Sequence, residues 1–390
     1  MQAGVKFGMT VAVALSLSGC LSSKPSELLA AQAAGTAVAQ TQLANVATEH
    51  EIFVATTRAK ATDKLEVFAG TRSPDTDFAE IEISVPKTHK IGQIERRPGR
   101  TADPSKYFTA QKVTAYDAKE FSKALRADMA KNGGRALVFV HGYNTAFDSA
   151  VYRMTQIVHD GATTATPILF SWASSGRTLD YVYDTNSATA ARDSLEATLR
   201  LVAQSGAKKI DIVAHSMGNW VTMEALRQLA ISGNPTLDGK LTGVILASPD
   251  IDVDVFKSQM ARYGKPKTPF VLMTSSDDKA LRLSSVLAGG RPRVGDYADS
   301  AEFAKLGVVV VDLSQVKGAD RLSHTKFAEN PVLIKLIGEN LNSDRTEPES
   351  ESVLTDRVTK LSQTLGGAVG SAAEIIITTP VNVLKIAVGG

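Results

Sequence analysis

Residues 209–218 read Lys209-Ile210-Asp211-Ile212-Val213-Ala214-His215-Ser216-Met217-Gly218. Ile210, Ile212 and Val213 make a short apolar, β-branched run of the kind that forms a buried strand. Small residues follow, and 219–229 continues as a helix-like segment. A strand, a tight turn and a helix in that order hold a serine away from the sheet and leave the first N–H groups of the helix exposed beside it. Ser216 is therefore the candidate nucleophile.

Such an elbow usually reads Gly-x-Ser-x-Gly, because the backbone passes so close to itself that only very small side chains fit on either side. Here Ala214 takes the first small position and Gly218 the second. An ordinary strand-to-helix turn whose serine caps the helix would give the same five residues. The rest of the chain has to separate the two.

Upstream, residues 51–57, 78–85 and 108–116 read as strands. Three strands before any strong helix point to an antiparallel edge. Residues 118–131 form the first convincing helix, with Phe121, Leu125 and Met129 at i, i+4 and i+8 and Gly133-Gly134 ending it. From Arg135 onward buried strands alternate with amphipathic helices. Strands are expected at 136–140, 167–170, 210–213, 242–247, 270–274 and 308–311, and helices at 147–159, 187–204, 219–229, 253–263, 279–287 and 331–341. Continuous apolar strands separated by helices build a parallel sheet covered on both faces. The expected fold is α/β: a mostly parallel, doubly wound sheet with an antiparallel N-terminal edge and its site at the carboxyl ends of the strands.

The chain has 390 residues, 43% hydrophobic and 22% charged, enough for one large domain with extensions. Its formal charge of +2, with no long basic run, gives no reason to expect a nucleic-acid partner. Lys6 precedes an apolar stretch at 9–17 that is too short for a permanent span and suits the h-region of a signal peptide. Leu17-Ser18-Gly19-Cys20 then resembles a bacterial lipobox, and Cys20 is the only cysteine, which excludes an internal disulfide. The resemblance to bacterial lipoproteins implies that 1–19 is removed and that Cys20 is acylated and anchors the protein to the membrane. Leu21, where an aspartate would retain the protein, implies an outer-membrane location facing the periplasm. Residues 20–49 read as a flexible tether, 50–342 as the catalytic domain, and 343–390 as a linker and apolar C-terminal extension. Within the extension, 353–365 reads as an amphipathic helix and 372–388 is apolar around Pro380. Residues 353–390 are a candidate protein or membrane contact, with packing on the body as the plainer alternative.

The strand Val138-Phe139-Val140 runs straight into His141-Gly142-Tyr143-Asn144. This resembles the α/β-hydrolases, in which the loop at this place and the residue after the nucleophile supply the oxyanion donors. The resemblance implies the backbone N–H groups of Tyr143 and Met217, with His141 holding the loop. A serine needs a base and the base needs an orienting group, in the chain order Ser, acid, His. Of six histidines, His50, His89, His141 and His159 precede Ser216 and His215 lies in the elbow. His324, after the last strand, is the candidate base. Asp277 and Asp278 both follow the strand at 270–274, and either suits a helix cap there. Asp278 is preferred as the acid, with Asp277, Asp250 and Asp252 as alternatives that spacing does not separate.

Over residues 51–341 the chain resembles a bacterial α/β-hydrolase family of uncharacterised esterase/lipase-like proteins. The matching stretches are Phe139-Val140-His141-Gly142-Tyr143-Asn144, Phe170-Ser171-Trp172, Tyr183-Asp184-Thr185-Asn186-Ser187-Ala188, Ala214-His215-Ser216-Met217-Gly218-Asn219, Ala247-Ser248-Pro249-Asp250-Ile251-Asp252 and Ser275-Ser276-Asp277-Asp278-Lys279-Ala280-Leu281. It implies an α/β-hydrolase fold and a Ser-His-Asp triad acting on a small-molecule ester or acyl substrate through an acyl-enzyme. No cofactor or metal is expected, because no His/Cys/Asp cluster shows ligand spacing. The aromatics of 172–185 are expected either to line an acyl pocket or to pack as an ordinary loop. Residues 289–295, with Arg291 and Arg293, are expected as a solvated surface loop or an anion-attracting rim. The alternative from a different class is a non-catalytic envelope lipoprotein that uses the fold as a binding scaffold.

Overall fold

Side chains alternate across a strand, and here that alternation lets one sheet bury two cores. The computed structural model describes residues 28, 46–62, 67–97, 103–318, 320–342 and 373–388. The signal peptide, Cys20, the linker at 343–351 and the helix expected at 353–365 lie outside these. The N-terminal strands are β1 (Val46–Lys60), β2 (Phe68–Pro86) and β3 (Thr109–Tyr116). Then come α1 (Ala118–Lys131), β4 (Arg135–Val140), α2 (Phe147–Gly161), β5 (Thr166–Ser171), α3 (Tyr181–Gln204), β6 (Lys209–His215) and α4 (Gly218–Ile231). The chain continues through β7 (Leu241–Ala247), α5 (Val253–Tyr263), β8 (Phe270–Thr274), α6 (Lys279–Leu287), α7 (Ser300–Ala304) and β9 (Val308–Asp312). It closes with α8 (Lys326–Glu329), α9 (Pro331–Asn342), β10 (Ala373–Thr378) and β11 (Val383–Val388).

Among the described residues, the eleven strands form one sheet in the order β11-β10-β9-β8-β7-β6-β4-β5-β1-β2-β3. The run from β9 to β1 is parallel. The β1, β2 and β3 meander is antiparallel, as expected for the N-terminal edge. The sequence did not suggest the antiparallel pair at the other edge. The apolar segment around Pro380 turns there as a hairpin, and β10 pairs with β9 through Ile376, Ile377 and Thr378. Pro380 sits between the two strands, where no ladder hydrogen bond is needed from it.

Ala136, Val138 and Val140 of β4 and Ile210, Ile212 and Ala214 of β6 face one core, closed by Phe121, Leu195, Leu226 and Phe256 from α1, α3, α4 and α5. Leu137, Phe139 and Val213 face the other, closed by Val151 and Met154 of α2 and Val332 and Leu333 of α9. Each fully buried Leu, Phe or Ile stabilises the fold by about 1.5–3 kcal/mol. Removal of both faces from water is what makes these strands continuously apolar. Two boundaries differ from expectation. β1 opens at Val46, inside the stretch read as tether, and Leu28 is buried in the second core. α3 begins at Tyr181 rather than 187, because Asp184 turns inward to bind neighbouring loops instead of facing water.

Candidate active site

β4 and β6 pair in parallel with Val140 opposite Ala214, so the residues that follow leave the sheet side by side. Gly142 thereby meets Ser216: a Cβ on Gly142 would lie 2.7 Å from Ser216 Cβ. A Cβ on Gly218 would lie 2.4 Å from His141 O and 2.5 Å from Val140 O. These contacts explain the small residues of the elbow, since the two loops touch backbone to backbone. Ser216 has φ +54, a strained value for a residue with a side chain. It is pinned there. Its N–H donates to Ala247 O at 3.0 Å, and its carbonyl accepts from Asn219 N, Asn219 Nδ2 and Asp250 N. Asn219 Nδ2 donates also to Ala247 O, tying the elbow to β7.

His324 Nδ1–H donates to Asp278 Oδ2 at 2.6 Å, and Asp278 is fully buried. The other oxygen of Asp278 caps α6, accepting from Ala280 N and Leu281 N at 3.0 Å each. The cap therefore fixes the carboxylate that faces the histidine. Burial pulls the His324 pKa down, but the hydrogen bond and charge of Asp278, with the charges of Asp250 and Asp320, outweigh it and leave it raised. Asp320 shapes the loop, accepting from the N–H groups of Leu322, His324 and Thr325. His215 Nε2–H donates to His324 O at 3.2 Å, and the two rings lie 4.7 Å apart. No hydrogen bond joins Ser216 Oγ to His324 among the described residues.

The other aspartates have separate partners. Asp277 pairs with the buried Lys326 at 2.6 Å, and Lys326 also donates to Ser275 Oγ and Leu313 O. Asp252 caps α5. Asp250 lies 3.3 Å from Arg293 Nε and accepts from Tyr181 Oη and Ser284 Oγ. Arg293 is thus buried, which corrects the expectation of a solvated loop there, whereas Arg291 is exposed.

His141 is buried and neutral, its pKa lowered to about 3 by burial and by Arg58. Its Nδ1–H donates to Gly142 O, its Nε2 accepts from Ser171 Oγ, and its ring stacks on Trp172. Trp172 is itself fully buried and donates to His141 O, so it packs under the loop rather than lining an acyl pocket. Two residues without a role in the sequence analysis hold the same loop. Arg58, at the end of the apolar run of β1, donates to Thr145 O, Ser174 O and Ser171 Oγ. Asp184 accepts from Asn144 N, Ser174 Oγ and Ser175 N. A charged residue ending a buried strand was the available signal for Arg58. The N–H groups of Tyr143 and Met217 have no acceptor among the described residues.

A cavity of about 570 Å³ opens beside the elbow, lined by Gly142 and His215 together with Arg96, Ser149, Arg153 and Thr325. Farther off, the fold brings His89, His159 and Asp160 together with ligand atoms within 4.8 Å of one another, a grouping invisible in the spacing. Carboxylates occupy both nitrogens of His89 there.

The family described as "Alpha/beta hydrolase of unknown function (DUF900)" matches residues 117–340, over half of the chain. No curated protein matches the sequence. Among solved structures, Aspergillus fumigatus lipase B is 16% identical with TM-score 0.38, over 61% of this chain and 60% of that one. This chain therefore spans less than two thirds of that lipase. An esterase from Pyrobaculum calidifontis is 10% identical with TM-score 0.34, over 78% and 90%. Esterases from Rhizomucor miehei give 12% and 0.33, over 80% and 89%.

Proposed function

This chain belongs to the α/β-hydrolase family DUF900, and on that premise we propose that it is a serine hydrolase, a carboxylic-ester hydrolase of esterase or lipase type at the bacterial cell envelope. One observation supports this reading above the others. The loop packed on the Ser216 elbow bears a histidine whose Nδ1 is held by a buried, doubly anchored carboxylate, while Nε2 has no partner among the described residues. That is the tautomer a general base requires.

In the proposed reaction Ser216 Oγ attacks the ester carbonyl carbon and its proton passes to His324 Nε2. Asp278 stabilises the imidazolium, and the N–H groups of Tyr143 and Met217 receive the oxyanion. The tetrahedral intermediate collapses, and the leaving alkoxide takes the proton from His324. Water then attacks the acyl-enzyme by the same route in reverse, releasing the acid and restoring Ser216. Carboxylic esters of modest size are the proposed substrates. Acylation of Cys20 would hold the enzyme on the outer membrane with two or three chains, enough for stable anchoring.

The test is labelling of the full chain with a fluorophosphonate, beside Ser216→Ala and His324→Ala. Labelling of the wild type that both substitutions abolish is expected. A folded wild type that takes up no probe would overturn the proposal in favour of a binding scaffold.

A further inference from the structure

Ten large apolar side chains are exposed among the described residues, and six of them fall on three neighbouring segments around His324. Leu179 (92% exposed) and Val182 (72%) flank the start of α3, Leu283, Val286 (72%) and Leu287 belong to α6, and Leu322 stands two residues before His324. Hydrogen bonds join the segments: Tyr181 Oη and Ser284 Oγ share one at 2.7 Å, and Lys279 N–H donates to Leu322 O at 2.9 Å. The Tyr181 ring also packs against Tyr143 at 5.3 Å, so the apolar rim adjoins the proposed oxyanion loop. Scattered exposed apolar residues need no explanation, but a contiguous group does. The shape of α6 sharpens the point. It buries Leu281 inward and presents Leu283, Val286 and Leu287, at i, i+3 and i+4, outward. A helix apolar on both faces is ordinarily covered on both.

Charge narrows what covers it. Lys279, Arg282, Arg291 and Arg321 stand exposed on the same segments, while the carboxylates there are engaged, Asp277 with Lys326, Asp278 with His324, Asp180 with Arg177, and Asp320 with the N–H groups of its own loop. Apolar side chains ringed by cations suit the interface of an anionic bilayer, where the apolar group enters the acyl boundary and the cations meet headgroups. We propose that this rim docks on an anionic phospholipid surface and turns the active site toward it, so that the substrate is a lipid-borne ester. The substrate half of the proposal rests on the serine-hydrolase reading; the docking half does not.

Tryptophan placed at the rim reads the docking directly, whether or not an anchor is present. Full-length Leu179→Trp and Val286→Trp are mixed with vesicles of brominated phosphatidylglycerol and phosphatidylethanolamine, with Ile231→Trp, at the far end of α4, as the control. Quenching at the two rim positions is expected to exceed that at the control about threefold or more. In Leu179→Glu/Val286→Glu, the ratio of vesicle-borne to soluble ester hydrolysis is expected to fall about tenfold. Rim quenching no greater than the control would overturn the proposal. So would a dimer that Val286→Glu dissociates in the absence of rim quenching, which would assign the face to a second copy. Loss of Ser216 labelling with rim quenching intact would remove the enzyme reading and the lipid-borne substrate, and leave the docking.

Discussion

Two histidine–carboxylate pairs in this protein are nearly equal in length and opposite in consequence. His324 Nδ1 lies 2.6 Å from Asp278 and His89 Nε2 lies 2.7 Å from Asp160. His89 Nδ1, however, lies 2.7 Å from Glu95, so both of its ring nitrogens are committed to carboxylates. Burial lowers the His89 pKa, but the bonds and charges of Asp160 and Glu95 more than reverse it. The result is a cation fixed between two anions. At His324 a single carboxylate does the same to one nitrogen and leaves the other open. A carboxylate beside a histidine makes a base only when the second nitrogen is spared.

The sharpest way to break this comparison is to remove the carboxylate at the open histidine. Asp278→Asn should slow the proposed ester hydrolysis by about 10⁴-fold, by favouring the wrong tautomer. Asp250→Asn should cost far less, because its carboxylate serves Arg293, Tyr181 and Ser284. A larger loss in kcat/KM for Asp250→Asn than for Asp278→Asn would make Asp250 the better candidate for the acid.

At the committed histidine the effect should fall on stability. His89→Gln leaves the buried Asp160 and the half-buried Glu95 without their cation and should destabilise the protein by about 3–5 kcal/mol. The raised His89 pKa means that its stabilisation is full below its unfolded value near 6.5 and is lost as pH rises through the folded value. Asp160, despite its burial, is held low by His89, Gln156 and the Gly92 N–H, so its share is present above 3.8 and lost on acidification. Denaturation of His89→Gln and wild type at pH 5.5 and pH 9 should therefore show the larger difference at pH 5.5. A difference independent of pH would mean that the ring acts only by packing.

Between the two lies the contact that supports the elbow. Gly218→Ala puts a Cβ against two carbonyl oxygens at 2.4 and 2.5 Å, and should lower stability by about 1–3 kcal/mol and depress probe labelling as the loops separate. Unchanged labelling would show that the loops part without cost to the site. The smallest effect is a shift of midpoint. The labelling rate should rise with pH through a value above 6.5, since His324 must be neutral to accept the proton, and Asp278→Asn should move that midpoint down. A wild-type midpoint at or below 6.5 would contradict the raised pKa of His324.

Much of the fold was legible because it is periodic. The run Phe121, Leu125, Met129 and the apolar strands from 136 to 311 repeat at the spacings of helix and strand, and the observed elements follow them closely. Longer-range features were not legible in this way. The C-terminal hairpin pairs with β9 across a long separation in the chain, and the start of α3 depends on a buried Asp184 that looks like a surface residue in sequence. Arg58 and Lys326 were missed for the same reason: a buried cation is recognised by the carbonyls and carboxylates around it, which come from distant segments.

The sequence by itself determined the strand–turn–helix around Ser216, the parallel core it emerges from, and His324 as the one histidine beyond it. These follow from local spacing and chain order, which a linear pattern records. Only the tertiary structure decided which aspartate faces His324. Asp277 and Asp278 are neighbours in sequence, yet one points to Lys326 and the other, turned inward by its cap on α6, to the imidazole. Composition cannot distinguish them, because a hydrogen bond selects its partner by direction and distance in space.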